Sequence, residues 1–229
     1  MSRAALRYLL VGAARTRAAL VPIAAGVFVL IGVYASPRNE VGATFALTAV
    51  LSCALAAWLV GAVLAAEPRP QADMATAALG GQRGRVRLDG RLIMLVASGL
   101  TAAFVAYPLA LDTVVDRVFE APVKAGDVVA ATLAHLSCAL LGGAIALLFA
   151  PPRVTRRATG IALVLAVLLG LVAISRPLGA LGGPLAVAEA LSDSAPGTVG
   201  GEVLLSCVTC VALAAGAAVA APHWAARSG

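Results

Sequence analysis

Long apolar runs alternate with short polar breaks along this chain, and the runs keep neither the two-residue period of a half-buried strand nor one polar face of a soluble helix. A hydrocarbon layer about 30 Å thick asks for roughly 17–25 mostly apolar residues per crossing. Six segments meet that requirement, at 18–35, 41–66, 92–111, 128–150, 158–174 and 203–221. None contains Asp, Glu, Lys or Arg, each of which costs about 2.5–3.5 kcal/mol at the centre of an inserted helix. The predicted fold is therefore an all-α membrane protein, one transmembrane domain over 1–229 with six transmembrane helices. A closed β-barrel is excluded, because its strands alternate apolar and polar positions.

The polar breaks carry their own patterns. Residues 1–17 mix Leu6, Tyr8, Leu9, Leu10 and Val11 with Arg3 and Arg7 one helical turn apart. This suits either an interfacial helix that turns arginines toward phosphates or an extension of the first span. Four arginines and direct continuation into a span also argue against a cleavable signal peptide. The longest break, 67–91, opens with Glu67, Pro68 and Pro70. Asp73 is expected to cap a short helix from Met74 to Leu79, ended by Gly80 and Gly81; the alternative is a solvated basic loop that anchors topology. Residues 175–202 are too apolar for a plain loop and too short for another span. Pro184 stands at a favourable helix start, and the segment reads as an external re-entrant hairpin. Residues 112–127, with net charge −2, read as a simple solvated connection.

Composition supports the lipid reading. Of 229 residues 61% are hydrophobic and 12% charged, against about 25% charged in soluble domains. The net charge of +6 does not indicate a nucleic-acid binder, which would gather its basic residues on one soluble face. Instead, thirteen of the seventeen Arg and Lys residues fall in breaks on one side of the predicted spans, and eight of the eleven acids fall on the other. The positive-inside rule then sets both termini in the cytoplasm.

Candidate chemistry is sparse. No P-loop is present, since Gly80-Gly81-Gln82-Arg83-Gly84 lacks its lysine, so ATP-driven work would need a second polypeptide. His135 is the only imidazole inside a span and reads either as a haem or metal ligand or as an interhelical hydrogen-bond partner. Cys53, Cys138, Cys207 and Cys210 all lie within apolar stretches; the Cys207-x-x-Cys210 spacing looks like a redox pair, but in a span it reads as packing. No carboxylate sits at mid-membrane to hold a coupling ion, which points to an energy source outside the bilayer. Small residues at helical spacing, such as Ala57 with Gly61, permit close helix approach, and a dimer would enclose a pathway.

Taken together, the N-terminal basic helix, the long break between spans two and three and the apolar external hairpin resemble the ABC-2-type transporter permeases. The parallel in the break runs from Glu67 through Ala75-Thr76-Ala77-Ala78-Leu79 and the basic run beginning at Arg83 to Asp89-Gly90-Arg91-Leu92. The chain departs from the family pattern at Pro68 and Pro70, and at Gly80-Gly81 where a Pro often stands.

The resemblance implies a permease subunit without enzymatic activity in the bacterial plasma membrane. It would pair with a second permease copy or paralogue and with two ATPase subunits that bind ATP and Mg, and it would export a hydrophobic or amphipathic compound. The ATPase-coupling interface it implies comprises Glu67, Asp73, Met74, Leu79, Arg83 and Arg85, with Arg3 and Arg7 on the interfacial helix as a second contact. The competing expectations are a haem-handling or redox membrane subunit centred on His135 and a membrane assembly factor with no transport role.

Overall fold

The computed structural model describes residues 3–35, 39–115, 118–149, 183–195 and 197–227. Those residues form eight helices: α1 (Arg3–Arg15), α2 (Leu20–Tyr34), α3 (Val41–Ala65), α4 (Arg69–Ala78), α5 (Gln82–Val115), α6 (Ala125–Phe149), α7 (Pro184–Ser192) and α8 (Gly201–Arg227). Four helical stretches, Val41–Ala65, Gln82–Val114, Ala125–Phe149 and Gly201–Ala220, are long and apolar enough to cross a membrane. The pair α1 and α2, bent by 83°, provides a fifth candidate. The predicted span at 158–174 lies outside the described residues, and α2 is 15 residues long, three short of the expected 18–35 segment.

The bundle is built on α3 and α6. Thr44, Thr48 and Ser52 repeat every four residues along α3 and are buried, and each hydroxyl returns a hydrogen bond to a carbonyl of its own helix: Glu40, Thr44 and Ala49 at 2.6, 2.9 and 2.7 Å. Small hydroxyl residues that satisfy themselves in this way let two apolar helices approach closely. Gly142 of α6 completes the contact, because a Cβ there would run into the Cys53 carbonyl of α3. α5 and α8 pack on α6 from other sides.

Around an apolar core that also encloses Thr44, Thr48, Ser52 and His135, many large apolar side chains face outward. On α2, Val21, Val27, Ile31 and Phe28 are exposed, the last at 78%, and on α8 so are Leu205, Val208 and Val219. In water such continuous apolar faces would drive association, whereas lipid tails solvate them at no cost. Together with the span-length helices, these exposed apolar faces are consistent with a multi-pass membrane protein.

At one end, which carries Arg83, Arg87 and the arginines of α1, α3 passes into α4 and α5. α4 begins earlier than the sequence suggests. Pro68, extended at φ −63° and ψ 142°, is the N-cap residue, and its carbonyl accepts from Gln71 and Ala72 N–H at 3.0 Å. Pro70 sits in the first turn, where its missing N–H costs nothing. Asp73 is therefore mid-helix and does not cap. The stop was read correctly: Gly81 N–H bonds to Thr76 O at 2.9 Å and Gly80 N–H to Ala77 O at 3.1 Å, the paired bonds of a Schellman ending. Both glycines have positive φ, +78° and +91°.

α5 then starts at Gln82, ten residues ahead of the expected third span at 92–111. The charges from Arg83 to Arg91 end the apolar run without interrupting the helix, since Arg is a good helix former. Pro108 lies within α5, as spanning helices tolerate where neighbours satisfy the freed carbonyl.

The opposite end is closed more tightly than a solvated connection would be. Phe119 is buried and meets the rings of Tyr34 and Phe45 at centroid distances of 6.2 and 5.6 Å. Asn39 pairs with the same strand-like segment, its N–H on Val118 O at 2.9 Å and its carbonyl accepting from Glu120 N–H at 3.0 Å. Net charge concealed this: the acids of 112–127 surround a two-residue apolar plug, Val118-Phe119. Within the expected hairpin at 175–202, α7 begins at Pro184 as read and buries Ala186, Val187, Ala190 and Leu191.

Candidate functional site

The most elaborate polar construction among the described residues lies at the basic end, where the α3–α4 break meets the first turns of α5. α3 ends at Ala65, and Glu67 turns its side chain inward because Pro68 fixes the chain in an extended bend immediately after it. Glu67 Oε2 accepts a hydrogen bond from Arg85 Nη2 at 2.6 Å. Arg85 Nε donates to Asp89 Oδ1 at 3.1 Å, one helical turn on. The Arg85, Glu67 and Asp89 side chains are 13%, 4% and 6% exposed. One guanidinium thus ties the end of α3 to the start of α5 and holds α4 between them.

Such a pair resists disassembly unevenly. Buried ion pairs add little net stability over an apolar packing of the same shape, but removing one member strands the other and costs about 3–5 kcal/mol. The network is also incomplete: Glu67 Oε1 and Arg85 Nη1 are buried without a hydrogen-bond partner.

α1 lies beside α4. Tyr8 donates its hydroxyl hydrogen to Gln71 Oε1 at 3.0 Å, bridging the two helices over an open groove of about 1180 Å³. Leu9, Ala13, Val63 and Leu88 make its apolar floor, Arg7 and Arg15 stand on the α1 side, and Glu67 and Met74 on the other. Leu9 and Ala13 are buried against α3 and α5, so α1 is anchored by one apolar face and presents Arg7 outward.

The expected coupling residues are not all brought together. Glu67 and Arg85 bond directly. Met74, on the groove's α4 wall, is 65% exposed, and Asp73 and Arg83 are exposed as well. Leu79 is half-buried and packs on the cluster containing Leu9 and Val63; it belongs to the support of α4 rather than to its outer surface. Arg3 is the first residue of α1. Asp89, Tyr8 and Gln71 were not assigned roles from the sequence. Asp89 was legible as an i, i+4 partner of Arg85, whereas the neutral Tyr8–Gln71 pair, 63 positions apart, leaves no sequence signal.

A second polar group lies inside the bundle. His135 of α6 is fully buried, with Nδ1 2.7 Å from Ala131 O and Nε2 2.9 Å from Thr48 Oγ1. A carbonyl can only accept, so Nδ1 carries the proton; Nε2 of the neutral ring can then only accept, and it shares the single Thr48 hydroxyl hydrogen with the Thr44 carbonyl. The ring stacks on Phe104 at 5.8 Å and meets Phe45 edge-on at 6.1 Å. Both nitrogens are engaged within the protein, which is the interhelical hydrogen-bond arrangement of the two expected for this residue. Cys53, Cys138, Cys207 and Cys210 are buried free thiols in one apolar cluster from α3, α6 and α8, and no group of three metal-ligating side chains forms among the described residues.

Comparison with known protein families, with curated proteins and with solved structures finds no match to this chain.

Proposed function

We propose that this chain is the permease subunit of an ATP-driven exporter of the ABC-2 type, coupled to a separate ATPase through α4 and α1 at its basic end. The observation that carries the reading is the suspension of α4: a short helix, strapped to two span-length helices by Arg85 with Glu67 and Asp89, leaves Met74 exposed. A helix mounted in this way passes a push on its exposed face to α3 and α5 together. An α4 that served only as a loop between spans would need no buried ion network.

The arginine distribution supports a cytoplasmic position for that end, with both termini on the same side. The sixth crossing of this reading, 158–174, lies outside the described residues. The exposed apolar faces of α2 and α8 leave room for a second permease copy or paralogue, and a path between two copies would suit a hydrophobic or amphipathic compound. ATP and Mg would be held by the ATPase subunits.

The test is purification of the tagged chain from its native membranes with identification of bound subunits. An ATP-hydrolysing companion that is lost in Met74→Asp supports the reading, and a chain that carries no such companion overturns it.

A further inference from the structure

The groove between α1 and α4 combines three features that belong together only if its occupant is amphipathic and carries both signs of charge. Its floor is apolar. Arg7 and Arg15 stand along the α1 wall, offering guanidinium groups suited to a phosphate. On the facing wall is Glu67, whose side chain is 4% exposed and whose Oε1 has no hydrogen-bond donor. A buried carboxylate oxygen left unpaired costs free energy, and a donor delivered by a ligand would remove that cost.

We propose that this groove binds a phospholipid whose headgroup carries a primary ammonium, as in phosphatidylethanolamine, with the phosphate at Arg7 and Arg15 and the ammonium donating to Glu67 Oε1. The volume of about 1180 Å³ exceeds the roughly 300–1,000 Å³ of ordinary small-molecule sites, enough for a headgroup and the upper part of its chains. Position agrees with chemistry. α1 lies at 83° to α2, so an α2 that runs along the bundle leaves α1 across its end, at the depth of headgroups. Leu9, Ala13, Val63 and Leu88 would then meet acyl carbons. A purely anionic lipid would satisfy the arginines but bring a second negative group or neutral hydroxyls to Glu67. A choline headgroup has the right charges but no N–H to donate.

The experiment uses the full-length protein in detergent, stripped of co-purifying lipid. It is then exposed to phosphatidylethanolamine, phosphatidylcholine or phosphatidylglycerol of matched chains, with the bound fraction read by native mass spectrometry. Phosphatidylethanolamine is expected to bind about tenfold more tightly than phosphatidylcholine, the ratio that one charge-assisted hydrogen bond supplies. Glu67→Gln keeps an acceptor for Arg85 but replaces the negative charge, and it should erase that preference. Ala75→Trp, which fills the groove, should remove binding of all three lipids. Equal binding of the ethanolamine and choline lipids, preference for phosphatidylglycerol, or lipid retention unchanged in Ala75→Trp would each overturn the proposal. No ATPase is needed in this measurement, so its failure would leave the docking role of α4 untouched.

Discussion

Arg85 Nη2 stands 2.6 Å from Glu67 Oε2, and this single contact joins two span-length helices through the bend that carries α4. Arg85→Ala should therefore strand the buried Glu67 carboxylate and lower stability by about 3 kcal/mol. The double variant Glu67→Leu with Arg85→Leu should recover part of the loss through apolar packing. Thermal unfolding in detergent, run on the single and double variants together, checks both statements.

Met74 and Leu79 should respond differently, although the family resemblance pairs them as coupling residues. Met74→Asp changes an exposed position on α4, so the protein should keep its melting temperature and lose the ATPase companion proposed for it. Leu79→Asp introduces a charge beside Leu9 and Val63 and should destabilise the chain itself. A melting curve and a pull-down on each variant separate the two; an equal loss of stability in both would remove the distinction.

At the α3–α6 contact, Gly142→Ala sets a methyl group against the Cys53 carbonyl, a backbone atom that cannot swing away. A cost of about 1–3 kcal/mol is expected. Gly61→Ala and Gly216→Ala meet nothing within 4 Å and should be neutral or slightly stabilising, since alanine is the better helix former. The same unfolding assay ranks the three.

The His135–Thr48 hydrogen bond should be worth less than its burial suggests. Thr48→Val removes the donor to Nε2 while keeping shape, and in bundles of this kind such bonds contribute on the order of 0.6–2 kcal/mol. A larger loss of stability in Thr48→Val would mean that the ring organises more than one helix pair.

What the sequence reveals and what it hides divide along physical lines. Apolar run length reports where lipid begins and ends, and it locates α3, α6 and α8 to within a few residues at most ends. It does not report where a helix begins, so α5 reaches ten residues past the expected edge of its apolar core into Arg83, Arg85 and Asp89. Glycine and proline are local signals, and Gly80, Gly81 and Pro184 act where they were read to act; Asp73 was a sound cap by local rules but lost that role to Pro68. Contacts between distant positions leave little trace in one sequence. Glu67 with Arg85, Tyr8 with Gln71, and Phe119 against Tyr34 all emerge only once the helices are packed, and two of these define the groove and the strap on which the functional reading depends.

The central claim is that the exposed face of α4 is a cytoplasmic docking surface, and labelling of a Met74→Cys variant tests it most directly. With a membrane-impermeant maleimide, the account predicts that the new cysteine reacts in inverted membrane vesicles, stays silent in intact cells, and becomes protected when the ATPase companion is bound. Reaction of Met74→Cys from outside intact cells would contradict it.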